Sequence, residues 1–583
     1  MTDSRSSPRT VLLLRLAGLA LLATFYLGAG VFDHEIWPPT EPAFAGVVWS
    51  MHRTGDLLVP HINGLSYLEK PPLAYALSWA GMALAGRITP GMLRLPAALA
   101  GIGAVLIVFA LARRIYSEAV AWLCALLCAL TATFWGITHR ASTDAIALFF
   151  VFACLGVFMT TLTPSRRTPE AAGGTLATTA STRAADLSFC ALLATSFLVK
   201  NFYTFLLVVP PVAVFLLQAR NYRRLLTIGL WTTVFLVAIV VPWSYRLWLE
   251  GGLGYLRVVF FDNTLGRFTH IGPPPNVTLA PLNDAFFIHK DEPRTVVFSA
   301  LATEMLPWLL IQPAMLWAFF RRRSVEPWRR FLKIALVSML VCLTLSASRV
   351  ETYYRPVIFG LCLMSGEYLE TIYNSDSPQG RRQRLLVTAN FVIVGLLLAA
   401  APLGAAHYLK LPELRWLAPV LGLSLIAAVL LSKARWHKPV TTVAWGLLVA
   451  VLVTVNIAFV DPPLDARRSW RPFFDEIRNR LEIGQTLWTT IVDDRHLPAV
   501  NFYLDRRVTI LDNLNEVPEL LTSHTAEAVI MTARQFAAVQ PRLAGIRYRA
   551  LRAPGDHDQF VYVDNGGSGR RGCTPTGGCL SSR

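Results

Sequence analysis

Charge is scarce in this chain. Only 16% of its 583 residues are Asp, Glu, Lys or Arg, against 54% hydrophobic, and the mean hydropathy is +0.46. That excludes an ordinary soluble enzyme and points to a multi-span membrane protein. Acid is scarcer than base, 37 residues against 54, for a net charge of +17. Cysteine is limited to eight, with no zinc-like spacing. Cys124, Cys128, Cys154, Cys190, Cys342 and Cys362 lie in apolar runs and read as small hydrophobes. Cys573 and Cys579 sit in a Gly-rich tail, where an outer location would let them pair. No Gly-rich dinucleotide motif opens a helix, and no transporter-like internal repeat is visible. The first apolar run lacks a small-residue cleavage signature, so it reads as a retained anchor. Nothing combines a basic stripe with interleaved aromatics on a soluble fold, which leaves nucleic acid without a role.

What is present is a series of apolar runs of about 17–22 residues, each long enough for a hydrocarbon core of ~30 Å. About thirteen spans are predicted: Val11–Gly28, Leu95–Ala112, Val120–Trp135, Ala145–Leu162, Leu187–Val199, Phe202–Leu217, Leu226–Tyr245, Val296–Phe319, Phe331–Ala347, Tyr354–Tyr373, Leu386–His407, Leu417–Ser432 and Val440–Val460. The fifth and sixth are short and meet at Lys200, so one long tilted helix is the alternative. Basic clusters at Arg5/Arg9, Arg113-Arg114, Arg166-Arg167, Arg220/Arg223-Arg224, Arg321-Arg322-Arg323, Arg381-Arg382/Arg384 and Lys433/Arg435/Lys438 then all fall on one side. This places the N-terminus in the cytoplasm and the C-terminus outside. The excess positive charge anchors the inner face to anionic headgroups.

The expected fold class is an α-helical polytopic membrane protein with a small α/β C-terminal domain on the periplasmic side. Residues 1–460 form the membrane domain, 461–565 the α/β domain and 566–583 a flexible tail. Outer loops 32–93 and 249–294 would form the site. Within the first, Pro42–Met51 is mildly amphipathic and suited to lie flat on the bilayer, and Leu73–Ala85 reads as re-entrant or interfacial. The inner loop Pro164–Asp186 reads as a flexible linker. In the tail, Trp470–Leu481 reads as an amphipathic helix, and Thr486–Val492, Val508–Leu511, Ala528–Met531 and Gln559–Val563 as short strands.

The most informative stretch is GDLLVPHINGLSYLEKPP, Gly55–Pro72, in the first outer loop. On the predicted topology, charged residues from distant segments share its side and depth. They are Glu41, Glu69 and Lys70; Arg140 and Asp144 in HRASTDA; Lys200 in FLVKNF; Asp262 and Arg267 in FFDNTLGRF; and Arg349 in SRVETYYRP. Ionisable groups at span ends are costly unless paired or solvated, which makes a functional site the default reading. Cations suit a lipid phosphate, and a carboxylate suits an acceptor hydroxyl or amine that must lose its proton. A sugar linked through phosphate leaves without a general acid, provided cations stabilise the departing charge.

These segments, with MLRLPAALAG between the Gly55–Pro72 stretch and HRASTDA, resemble in order those of the GT-C membrane glycosyltransferases, in particular the ArnT-like and protein mannosyltransferase-related group. The resemblance covers most of residues 1–460. It implies transfer of a sugar from a polyprenyl-phosphate donor to a lipid, glycan or protein acceptor at the outer face of a bacterial inner membrane, with lipid A among the acceptors. Lys70, Lys200, Arg267 and Arg349 would hold the carrier phosphate. Glu41 or Asp144 would take the proton. Tyr353, Arg140 and His61 would contact substrate, and Glu69 and Asp262 would bind a divalent metal if their loops meet. One departure stands out: where the group has Asp-Glu followed by Arg, this chain has Pro39-Thr40-Glu41-Pro42-Ala43. Thr cannot act as a base at neutral pH.

Plainer readings compete. Lys70 and Lys200 could snorkel to the interface, Asp144 could cap the helix it opens, Arg140 could be an interface anchor, and His61 could be structural. A flippase or transporter would need charges buried mid-span and paired broken helices. A non-catalytic carrier binder is the third alternative, raised by Thr40.

Overall fold

The computed structural model describes residues 18–19, 23–86, 88–163, 179–266, 293–323, 325–346, 349–432, 438–482, 485–553 and 560–566. The first long loop, predicted to lie on the outer side, contains α1 (Glu41–Thr54), the hairpin β1 (His61–Ile62) and β2 (Leu65–Ser66), and α2 (Leu73–Ala85). The helical bundle follows with α3 (Pro90–Ile115), α4 (Glu118–Ala129), α5 (Ala132–Thr138), α6 (Thr143–Thr160), α7 (Thr179–Lys200), α8 (Tyr203–Gln218) and α9 (Tyr222–Arg257). A π-helical turn (Val258–Gly266) extends α9. The bundle continues with α10 (Val296–Glu304), α11 (Gln312–Arg321), α12 (Pro327–Leu345), α13 (Val357–Tyr373), α14 (Pro378–Leu409), α15 (Leu417–Ser432) and α16 (Pro439–Arg468).

Among the described residues, seven helices are long and apolar enough to cross a membrane, or eight if the bent pair α4–α5 is one span. Two predicted spans differ in detail, and the paired fifth and sixth are resolved in favour of two helices. The predicted Val120–Trp135 span is divided between α4 and α5, which meet at 65°. The predicted Val296–Phe319 span is split into α10 and α11, with Pro307 in the break, where a proline has no N–H to continue a helix. The fifth and sixth predicted spans are separate helices, α7 and α8, which turn at Asn201 (φ 47°). Most of the first predicted span, the tail cysteines and most of the inner linker lie outside the described residues.

The C-terminal unit comprises α17 (Arg471–Arg480), β3 (Thr486–Thr489), α18 (Leu497–Leu504), β4 (Thr509–Ile510), α19 (Val517–Leu521), β5 (Glu527–Thr532), α20 (Ala533–Val539), β6 (Arg549–Arg552) and β7 (Phe560–Asp564). Its five-stranded sheet has the order β4-β3-β5-β7-β6. β3 runs parallel to β4 and β5, and β7 is antiparallel to β5 and β6. β6 is absent from the predicted strands for a physical reason. It is a largely exposed edge strand, Arg-Ala-Leu-Arg, without apolar alternation.

One apolar core joins this unit to the first outer loop. Phe44, Val47, Val48, Tyr67 and Tyr75 of the loop pack in the same cluster as Phe474, Leu497, Val500 and Phe560. α1 therefore does not lie on the bilayer surface as its amphipathic pattern suggested. It is buried along ten of its fourteen residues, and α18 covers it. Gly46 makes this approach possible: a Cβ there would lie 2.4 Å from the Pro498 Cβ. The hairpin adds a polar lock. Asn63 (φ 54°) and Gly64 (φ 86°) supply the two left-handed positions of its tight turn. Asn63 donates to the Val508 carbonyl (2.8 Å) and accepts from the Val508 N–H (2.9 Å) and from Asn501 (2.9 Å).

Candidate active site

The charged cluster forms where the start of α6, the end of α7 and the segment before α13 converge. Asp144 sits in the first turn of α6, where the helix dipole favours an anion. Lys200, the last residue of α7, donates to Asp144 Oδ1 at 2.6 Å, and Arg355 approaches Oδ2 at 3.4 Å. Tyr203 and Tyr353 wall the ammonium, with ring centroids 4.4 and 5.1 Å from Lys200 Nζ. Such faces stabilise a partly desolvated cation. The Tyr203 hydroxyl donates to the Tyr353 carbonyl at 3.1 Å, fixing the two rings to each other. The Lys200 side chain is only 10% exposed, so it does not snorkel into solvent, while that of Asp144 is 32% exposed and open to a reactant.

The first outer loop brings a further cation. Lys70 lies close enough to act electrostatically on Asp144, and it donates to Glu69 Oε1 at 2.7 Å. The Tyr67 hydroxyl donates to the other Glu69 oxygen at 2.6 Å. The C-terminal unit reaches the same place. Asp494 lies in the field of Glu69, Asp493 and Lys70, and burial together with the two neighbouring acids pushes its carboxyl up to about 6. Asp493 is the opposite case. Burial pushes it up, but His496 (2.9 Å) and the backbone N–H groups of Arg495 and His496 outweigh this and hold it below the usual range.

Glu41 has a different setting. It is fully buried, and both oxygens meet Arg94, Nε at 2.7 Å and Nη2 at 2.9 Å. It also accepts the backbone N–H of Trp37 (2.8 Å) and of Ala141 (2.9 Å). Burial raises its carboxyl, but Arg94 and the two N–H donors prevail and hold it below the ordinary value. Through Ala141, Glu41 positions the turn that carries Asp144. Thr40 stands exposed at the N-cap of α1, with no side-chain capping bond.

The structure thus brings Asp144, Lys200, Tyr353 and Lys70 together. His61 instead pairs with Glu250 at 2.7 Å, and that carboxylate also accepts from Ser66 and faces Arg246. This ties the hairpin to the end of α9. Arg140 is exposed, and Arg349 donates to the Ser346 carbonyl at 3.0 Å. Arg267 lies outside the described residues. Asp262 is buried, 3.8 Å from Arg257. Glu69 has both oxygens engaged, and neither it nor Asp262 belongs to any group of three close metal-type donors among the described residues. Glu69 and Asp262 are therefore not brought together into a metal-type donor group among the described residues. Arg355, Arg94, Glu250 and Asp494 are missing from the predicted residues. For Arg355 a signal was available: in SRVETYYRP it directly precedes the proline before α13, six residues beyond Arg349. Asp494 carried none, because its partners are more than 400 residues away in sequence.

A bundle of apolar helices, an α/β unit packed on its first loop and a cationic cluster between them define the GT-C class of membrane fold. The comparisons agree. Residues 69–246 match the dolichyl-phosphate-mannose-protein mannosyltransferase family. The chain is 27% identical over 565 residues to the undecaprenyl phosphate-alpha-4-amino-4-deoxy-L-arabinose arabinosyl transferase of Pseudomonas paraeruginosa, covering 93% of this chain and 95% of that one. It is 24% identical over 392 residues to the corresponding transferase of Edwardsiella ictaluri, covering 66% of this chain and 65% of that one. Among solved structures, ArnT from Cupriavidus metallidurans bound to undecaprenyl phosphate aligns with a TM-score of 0.72 at 19% identity, over 95% of this chain and 98% of that one. The archaeal oligosaccharyltransferase AglB from Archaeoglobus fulgidus aligns at 0.50 and 12% identity, over 94% and 74%. The chain has the GT-C fold and is similar to the aminoarabinose transferases over nearly its whole length.

Proposed function

We propose that this protein transfers a sugar from a polyprenyl-phosphate donor to a lipid acceptor at the outer face of a bacterial inner membrane, its N-terminus cytoplasmic and its C-terminus periplasmic. The observation that carries the reading is the Lys200–Asp144–Arg355 cluster with Lys70 beside it. Lys70 also pairs with Glu69, so the three cations meet two carboxylates, and an incoming phosphate competes with those carboxylates for all three cations. The relatives named for undecaprenyl-phosphate donors support the same chemistry.

In this mechanism the donor phosphate docks among Lys70, Lys200 and Arg355, with Arg349 and Arg267 as further cations for the carrier. The phosphate draws Lys200 and Arg355 away from Asp144. The freed carboxylate then accepts the proton of the acceptor group as that group attacks the anomeric carbon. The bond from that carbon to the phosphate oxygen breaks, its electron pair goes to the phosphate, and the surrounding cations stabilise the charge. Tyr203 and Tyr353 flank the Lys200 ammonium as it turns from Asp144 to the phosphate, and limit water. Glu41 is a positioning residue, held by Arg94 and acting through Ala141, and Thr40 takes no proton.

The test is transfer and carrier binding measured on the same full-length preparations. Asp144→Asn should abolish transfer while polyprenyl phosphate still binds, whereas Lys200→Ala should lose both. Transfer undiminished in Asp144→Asn would remove the assigned base, and loss of transfer in neither variant would favour a carrier-binding or flipping protein.

A further inference from the structure

A second group of chemistry-bearing side chains lies where the segment leading into α1 meets the outer end of α16. Asp33, His34 and Asp461 bring one imidazole nitrogen and two carboxylate oxygens within 4.8 Å of one another. None of the three takes part in the transfer mechanism.

The imidazole is held in advance. His34 is buried, stacked on Trp37 with ring centroids 3.9 Å apart, and its Nδ1 bonds the Glu35 carbonyl at 2.9 Å. A carbonyl at Nδ1 makes that nitrogen the N–H donor and leaves the Nε2 lone pair free. Metal-bound histidines are oriented in this way. The backbone around it is equally constrained. Arg94 donates to the Val31 carbonyl (3.1 Å) and the His34 carbonyl (2.8 Å). The Glu35 N–H (3.0 Å) and the Trp37 indole (2.8 Å) both bond Asp465, one turn beyond Asp461. Gly30, at φ +81°, lets the chain run against α16: a Cβ there would lie 2.9 Å from Ile457 and 3.4 Å from Asp461 Oδ2.

We propose that Asp33, His34 and Asp461 form a divalent-cation site. One imidazole and two carboxylates match Zn2+, with a fourth position for water. Because Asp33 and His34 precede α1 while Asp461 closes the last membrane helix, the ion staples the outer loop to the helix that leads into the α/β unit. The proposal is independent of the transfer chemistry, so either can fail alone.

The experiment uses the full-length protein in nanodiscs, stripped with a chelator and titrated with Zn2+, reading bound metal and the thermal unfolding midpoint. About one Zn2+ per chain should bind and raise the midpoint. Loss of a second-shell partner costs 10–100-fold in metal affinity, so loss of a direct ligand should cost at least ~100-fold in His34→Gln and Asp461→Asn. Asp33→Asn, at an exposed position that leaves the fold intact, should show the same direction. An absence of Zn2+ binding by the unmodified protein overturns the proposal. So does equal binding by Asp33→Asn and the unmodified protein.

Discussion

Lys200 and Asp144 sit 2.6 Å apart with tyrosine rings on two sides of the ammonium, so single atoms decide what the cluster can do. Arg355 reaches the same carboxylate, whereas Arg349 is turned to the Ser346 carbonyl. Arg355→Ala should therefore lower kcat/KM by about 100-fold or more, well beyond the effect of Arg349→Ala, in an assay with purified donor and acceptor. Glu41 gives a stability prediction. Removing it strands the buried Arg94 charge, which costs about 3–5 kcal/mol in comparable pairs, so Glu41→Ala should lower the unfolding midpoint sharply. The folded carboxyl lies below its ordinary value. Its contribution is therefore complete above the unfolded pKa and is lost as pH falls through the depressed folded one. The gap between Glu41→Ala and the parent should close in acid, as read by thermal unfolding across pH.

At the scale of elements, the contact between α1 and α18 fixes the geometry of the outer face. Gly46 leaves no room for a side chain beneath Pro498, and overpacking of this kind costs about 1–3 kcal/mol. Gly46→Val should loosen the α/β unit from the loop, seen as faster proteolysis of the α16–α17 connection, with little change in the helical signal of the bundle. The hairpin is the second tether, because Asn63 serves both its own turn and the Val508 backbone. Asn63→Ala removes both, and the same proteolysis assay should detect it.

At the scale of the whole molecule, the α/β unit is part of the site rather than an appendage. Asp494 faces Glu69 and Lys70, and its carboxyl is raised from 3.8 to about 6. A carboxyl raised in the folded state binds more protons there than in the unfolded chain. Stability therefore falls as pH rises from about 4 to about 6 and is flat above. Asp494→Asn should raise stability at pH 7.5 by at most about 3 kcal/mol for a shift of this size, read as a higher unfolding midpoint, and make no difference near pH 4.

Composition and span-length runs made the membrane class and most helices legible without coordinates, because a bilayer demands apolar length whatever the tertiary arrangement, and the Gly55–Pro72 motif carried the resemblance to the GT-C glycosyltransferases. Amphipathic spacing revealed α17, and β-branched runs revealed four strands of the sheet. The edge strand β6 escaped because an exposed edge need not alternate. Individual site residues were legible only where their partners lie close in sequence or at span ends, as with Asp144 and Lys200. The choice between Arg349 and Arg355, the Glu41–Arg94 pair and the approach of Asp494 to Glu69 were decided by tertiary structure alone. Charge pairing depends on distances of a few ångströms, and a linear pattern specifies which side of a membrane a residue occupies but not which neighbour it meets there.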